Sequence, residues 1–206
     1  MSHKIVPAII AENQSSLDEI MLRLEGKANR IMLDVMDGKF VPSNSLLFNP
    51  ELPEGFEYEA HLMVKEPIYH IDRLAPKINR VIIHAESMNN LVEAISTAKR
   101  AGLKVSLALN PDTPVSILND YLDNIDGVLI MTVVPGGYGG RFIPETLTKI
   151  GDIKQLDPSL EVEVDGGMNP VTAKMALKAG ADVIASGSYL LGNKNVAEAI
   201  SELRKI

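Results

Sequence analysis

Two acidic residues stand near the ends of short apolar runs: Asp34 in Met32-Leu-Asp-Val-Met-Asp-Gly38 and Asp165 in Glu163-Val-Asp-Gly-Gly167. Brought to one site, such carboxylates form an acid/base pair. Residues two apart share one face of a strand. Met32, Asp34 and Met36 therefore point one way, while Ile31, Leu33 and Val35 point the other and suit packing beneath helices. A carboxylate on the inner face must be paired, bound to a metal or placed at a wet mouth. The plainer alternative is that Asp34 caps a loop or pairs with a nearby base.

The elements that would carry these residues are short β-branched runs alternating with amphipathic helical stretches, the mark of repeated βα units around a parallel sheet. Eight runs stand out: Ile5–Ile10, Arg30–Met36, Glu57–Val64, Arg80–Ala85, Lys104–Leu109, Gly127–Val133, Glu161–Asp165 and Asp182–Ala185. Helical patterns occupy Leu91–Arg100, Val171–Lys178 and Val196–Lys205, the first two ending in Ala-Gly pairs that suit a helix C-cap. Asn29-Arg30 and Asn79-Arg80 each precede a strand, a weak internal echo. Eight units favour a single closed (β/α)8 barrel over residues 1–206, and no Gly-x-Gly-x-x-Gly follows the first strand to suggest a dinucleotide site. The second unit is shortened. From Gly38 to Gly55 the chain is rich in Pro, Asn, Ser and Gly, so a loop replaces most of its helix.

With 206 residues, 46% hydrophobic, the chain can bury one sizeable core. No apolar run approaches the roughly 18 residues of a membrane span, and Met1-Ser-His-Lys lacks the apolar block of a secretory leader. The chain reads as cytoplasmic. The absence of Cys excludes disulfides and thiolate chemistry. A net charge of −7 without a basic run argues against nucleic acid as a partner. An anionic small molecule could still be held by backbone N–H groups.

Barrel active sites gather at the C-terminal strand ends, which here hold Asp34, His61, Met131 and Asp165. A lone His in an apolar strand is most often a satisfied core residue, but His61 shares its face with Met63 as Asp34 does with Met36. Gly136-Gly-Tyr-Gly-Gly140, Gly166-Gly167 and Gly187-Ser188 follow the sixth, seventh and eighth strands. Glycine turns at three consecutive strand ends, among them Gly139, Gly140, Gly166, Gly167, Gly187 and Ser188, suggest a phosphate cradle.

Over essentially its whole length the chain resembles the ribulose-phosphate 3-epimerases. The resemblance rests on Leu33-Asp-Val-Met-Asp-Gly-Lys-Phe-Val-Pro42, His61-Leu-Met-Val64, Ala108-Leu-Asn-Pro111, Pro135-Gly-Gly-Tyr-Gly-Gly140 with Phe142, and Glu163-Val-Asp-Gly-Gly167, in order. It implies epimerisation at carbon 3 of ribulose 5-phosphate to xylulose 5-phosphate, in pentose phosphate metabolism, with Asp34 and Asp165 as acid/base groups on opposite faces. It also implies a divalent metal (zinc, iron(II) or manganese) on Asp34, His61, Asp165 and one further His. Met36, Met63 and Met131 match pocket methionines, although Met is as often a core filler. A homo-oligomer is a further expectation from the family.

Several positions depart from the family pattern. Met32 stands where the family has its first metal-binding His, which predicts weakened or altered metal binding, since a thioether is a poor donor to zinc or manganese. Ala8 and Ala11 stand at usual serines, Val134 at a polar residue and Lys39 at a frequent His. Two alternatives stay open: epimerisation of another ketose phosphate such as allulose 6-phosphate, and a non-catalytic phosphosugar-binding relative. A decarboxylase on the same barrel is disfavoured, because Asp34-Val-Met-Asp-Gly38 lacks the Asp-x-Lys-x-x-Asp pattern.

Overall fold

A computed structural model describes residues 4–87 and 91–206; the leader reading at Met1-Ser2-His3 lies outside the described residues. The strands are β1 (Lys4–Ile9), β2 (Arg30–Asp37), β3 (Asn44–Ser45), β4 (Glu57–Met63), β5 (Arg80–His84), β6 (Lys104–Leu109), β7 (Gly127–Met131), β8 (Glu161–Asp165) and β9 (Val183–Ser186). All but β3 run parallel, and pairing of β1 with both β2 and β9 closes the eight into a barrel. This is the (β/α)8 architecture that the alternation predicts.

The α-helices are α1 (Gln14–Leu24), α2 (Pro67–Leu74), α3 (Leu91–Arg100), α4 (Thr148–Leu156), α5 (Pro170–Ala179), α6 (Ser188–Leu191) and α7 (Val196–Arg204). Where caps exist they are written in the sequence. Asn13 opens α1 and Asn169 opens α5 by accepting backbone N–H groups, and each belongs to a reciprocal capping box. Gly180 closes α5 in the left-handed region, φ 108°. The interval between β2 and β4 holds no helix, as its composition predicts, but does contain β3, antiparallel to β2. After β6 the chain makes 3-10 turns at Val115–Asp120 and Leu122–Asn124 instead of an α-helix. No helix among the described residues is long and apolar enough to cross a membrane.

Alternation along the strands divides the core in two. Ile31, Leu33 and Val35 join the outer layer beneath the helices, as do Leu62, Val81 and Leu107. Met32 lies inside the barrel with Val6, Ala8, Ile82, Ala108, Leu129 and Met131. At the N-terminal end of the barrel this apolar plug gives way to charge. Arg30 lies 2.9 Å and Arg80 3.0 Å from Glu161, and the same guanidinium groups approach Glu59 at 3.5 and 3.9 Å. Arg80 also donates to Ser106 Oγ at 2.7 Å. Gly127 leaves the room this needs: a Cβ there would stand 3.1 Å from the Arg80 guanidinium and 2.7 Å from the Glu161 carbonyl.

Burial, together with the neighbouring Glu59 carboxylate, holds the Glu163 carboxyl well above its ordinary range, only partly offset by Arg30 and Arg80. Glu161 is matched by Lys4, Arg30 and Arg80, whereas Glu163 is buried beside Glu59, and a proton on Glu163 relieves their repulsion. Above the ordinary carboxylate value of 4.5 the unfolded chain releases that proton while the folded chain keeps it, so stability falls as pH rises. Glu163→Gln removes this contribution. Its thermal melting temperature relative to the parent should therefore climb between pH 5 and pH 8; a pH-independent difference would show that Glu163 carries no such proton.

Candidate active site

The ladder registers assemble the site. Asp34 is directly opposite His61 across β2 and β4, and Met131 opposite Asp165 across β7 and β8. His61 Nδ1 lies 2.9 Å from Asp34 Oδ1 and 4.0 Å from Asp165 Oδ2. One donor atom from each of the three lies within 4.8 Å of the others, and all three residues are buried. The Asp165 backbone is fixed from β7, where Thr132 N–H and Oγ–H both donate to its carbonyl, at 2.7 and 2.9 Å.

Burial raises Asp165 first and the Asp34 charge adds to it, with partial relief from His61, so its carboxyl is pushed up to about 7. Burial alone would lower His61. The hydrogen bond to Asp34 and the charges of Asp34, Asp165 and Glu59 outweigh it and raise the imidazole. The imidazole thus lies within reach of both carboxyl groups, nearer Asp34, to which its Nδ1–H donates.

Two residues beyond those singled out in the sequence hold His61 from behind. Its Nε2 is 2.9 Å from His84 Nε2, and His84 Nδ1 is 3.2 Å from Glu86 Oε2. Burial would raise Glu86, but bonds from His84, Thr113 and the Asn110 N–H bring it down to about 2. Burial carries His84 down to about 4, so the ring is neutral. Glu86 accepts a hydrogen bond from His84 Nδ1–H, His84 Nε2 is left to accept from His61, and Nδ1 of His61 is turned toward the carboxylates. The spacing His84-Ala-Glu86 at the end of a strand is the only local signal in the sequence.

The candidate residues converge. Asp34, Met63, Met131, Gly139, Gly140, Asp165, Gly166, Gly167, Gly187 and Ser188 line one cavity at the C-terminal end of the barrel. His61 lies beneath it, fully buried, and Met36 packs on Met63 while facing an adjoining groove. Gly166 must be glycine: its φ is +112°, and a Cβ would stand 2.5 Å from Val133 Cγ2. Val133, not Val134, lines the cavity; Val134 is 73% exposed and Lys39 is exposed, so neither alters the pocket wall.

Other segments bring hydroxyls to the backbone at Ala8 and Ala11. Tyr138 Oη donates to the Ala8 carbonyl at 2.9 Å, and Ser45 Oγ accepts from Ala11 N–H at 3.1 Å. The second carboxylate of the Asp-Val-Met-Asp run is structural. Asp37 accepts from the N–H groups of Lys39 and Phe40, both 2.9 Å, and of Lys65, 2.8 Å. These bonds overcome burial and lower its carboxyl.

Asp34, His61 and Asp165 are a buried group of oxygen and nitrogen donors that could hold a divalent metal. Met32 does not join them. It is fully buried in the barrel plug, where it packs against apolar neighbours.

Comparison with known proteins agrees with this geometry. The model of the ribulose-phosphate 3 epimerase family matches residues 4–191. The ribulose-phosphate 3-epimerase of Bacillus subtilis is 36% identical, covering 98% of both chains, and that of Schizosaccharomyces pombe is 36% identical over 98% of this chain and 92% of its own. Among solved structures, 3-hexulose-6-phosphate synthase from Salmonella typhimurium superposes with a TM-score of 0.70 at 15% identity, over 98% of this chain and 97% of its own, and shares the fold. KGPDC from Streptococcus mutans does so at 0.73 and 13%, over 100% and 97%. A full-length sequence match and a pair of buried carboxylates at the mouth of a closed barrel lead to one conclusion: the chain belongs to the ribulose-phosphate 3 epimerase family.

Proposed function

We propose that the chain is an isomerase that interconverts D-ribulose 5-phosphate and D-xylulose 5-phosphate, residues 1–206 working as one domain. The observation that carries this reading is that Asp34 and Asp165 both approach His61 Nδ1 and both line the cavity that also holds the glycine turns. Inversion at carbon 3 needs two groups, since a single base would return the proton to the face it left. One carboxylate takes the proton from carbon 3 and the other delivers one to the opposite face; the roles exchange with the direction of reaction. A carboxyl held to about 7 suits this work, because both its protonation states are accessible near neutrality. The two carboxylates titrate as a pair.

Backbone N–H groups of the turns at Gly139-Gly140, Gly166-Gly167 and Gly187-Ser188 would hold the phosphate. Met63 and Met131 would lie against the planar intermediate, with Met36 behind Met63. Asp34, His61 and Asp165 would hold zinc, iron(II) or manganese, whose Lewis acidity would stabilise the enediolate charge by several kcal/mol. Glu86 and His84 keep the ring of His61 oriented for that purpose.

Proton NMR of ribulose 5-phosphate in heavy water tests the assignment. Deuterium should appear at carbon 3 as xylulose 5-phosphate forms, and Asp34→Asn or Asp165→Asn should each slow this at least about 10²-fold while phosphosugar binding persists. Exchange retained in both variants would refute the pair. Calorimetric titration with zinc addresses the ligands separately from turnover. Met32→His should tighten binding and Glu86→Gln should weaken it roughly 10–100-fold. Tight binding by the parent, unchanged in Met32→His, would show that the three-residue set needs no further His.

A further inference from the structure

Glu86 is held from a second loop, the one that follows β6. Asn110-Pro-Asp-Thr113 is a tight turn in which Thr113 N–H donates to the Asn110 carbonyl at 3.1 Å, with Pro111 at the position where its fixed φ is favoured. Two donors of this turn meet one oxygen of Glu86. Asn110 N–H donates to Oε1 at 2.9 Å, and Thr113 Oγ–H donates to the same atom. The other oxygen, Oε2, faces His84 Nδ1.

The same turn is held by a lysine. Lys149, in the first turn of α4, directs its Nζ at three main-chain carbonyls, 2.8 Å from that of Asn110 and 2.7 Å from those of Pro111 and Thr113. An ammonium group has three N–H donors, and here all are spent on a single turn. Asn110 and Thr113, the two residues that grip Glu86, are thus themselves gripped through their carbonyls. Because β6 is followed by 3-10 turns rather than an α-helix, no regular ladder fixes this segment, and charge-assisted bonds do so instead. Lys154 on the same helix bonds elsewhere, to the Leu160 carbonyl at 2.7 Å and to Asp182 at 2.6 Å. Lys149 is not among the residues that line the phosphosugar cavity.

We propose that Lys149 is a positioning residue for the reaction: by clamping the turn Asn110–Thr113 it fixes Glu86, and through Glu86 and His84 it keeps the His61 Nδ1–H directed at Asp34. This rests on the epimerase reading above. The connection is short, since beyond the turn each step is one hydrogen bond, Glu86 to His84 at 3.2 Å and His84 to His61 at 2.9 Å. Without the clamp the turn relaxes, and His61 gains orientations other than the one that faces the carboxylates. No group that touches the sugar is lost. Groups that orient an active-site imidazole from behind are worth roughly 10–100-fold in activity, and Lys149, one step further back, belongs at the lower end.

Lys149→Met keeps most of the side-chain length and removes the three donors, while Lys154→Met controls for loss of a lysine from the same helix. With ribulose 5-phosphate, Lys149→Met should lower kcat about 10-fold with little change in KM, and Lys154→Met should alter neither. In metal-free protein without substrate, proton NMR should show the His61 Nδ1–H exchanging with water about 10-fold faster in Lys149→Met but not in Lys154→Met. Added to Glu86→Gln, Lys149→Met should cost little more, because both act along one route. Should Lys149→Met fail to fold, Thr113→Val takes its place, removing one bond to Glu86 at nearly constant volume and moving both readouts in the same direction. A His61 proton that exchanges freely in the parent, an unchanged proton in the variant, an equal change in Lys154→Met, or losses that simply add to those of Glu86→Gln would overturn the proposal. A parent whose slow His61 proton depends on Lys149 but which turns over no ribulose 5-phosphate would instead leave the positioning role standing and refute the epimerase assignment.

Discussion

The hydrogen bond between His61 and Asp34, 2.9 Å long and shielded from water, is the interaction around which the barrel mouth is organised. An unpaired charge at such depth would be costly. Here the imidazole is shared between Asp34 and Asp165, and a second, neutral imidazole on a firmly ionised Glu86 supports it from behind. The strand registers deliver this without a strained backbone, since Asp34 and His61 are ladder partners and Asp165 arrives on the opposite wall. Everything the site could do with a proton or a cation passes through that ring and its two carboxylates.

The inside of the barrel is stratified. The Asp-His-Asp group stands above an apolar plug built on Met32, Ile82, Ala108 and Leu129, and below that plug lies the Arg30, Arg80, Glu59, Glu161 and Glu163 network. The Glu59 charge contributes to the shifts of both His61 and Asp165, though less than burial and the groups beside them. The lower layer has a fitted shape, with Gly127 yielding its side-chain volume to the Arg80 guanidinium.

Much of this was legible in the order of residues, because strand alternation is a local rule. The inward set Met32, Asp34, Met36 and the outward set Ile31, Leu33, Val35 fall where a period of two places them. The glycine turns could also be read, since few other residues adopt such backbone angles. What could not be read depends on distant partners. Tyr138 reaches Ala8 and Ile10 across 130 and 128 residues, and Ser45 reaches Ala11 across 34; no local pattern shows that these hydroxyls meet the backbone at the end of β1. His84 sits in an apolar run that reads as an ordinary strand, and its role follows only from meeting His61. Val134 misled for the opposite reason, since whether a loop side chain points into a pocket depends on the course of the turn rather than on its place in the motif.

Asp37 has a consequence for motion. Its carboxylate binds the loop after β2 through Lys39 and Phe40 and the end of β4 through Lys65, so two chain segments separated by the whole shortened unit are tied to one side chain. Neither segment can peel away without breaking a charge-assisted bond to the other. Displacing either loop therefore disturbs a carboxylate that the other loop shares, and one side chain sets the spacing of both at the rim of the barrel.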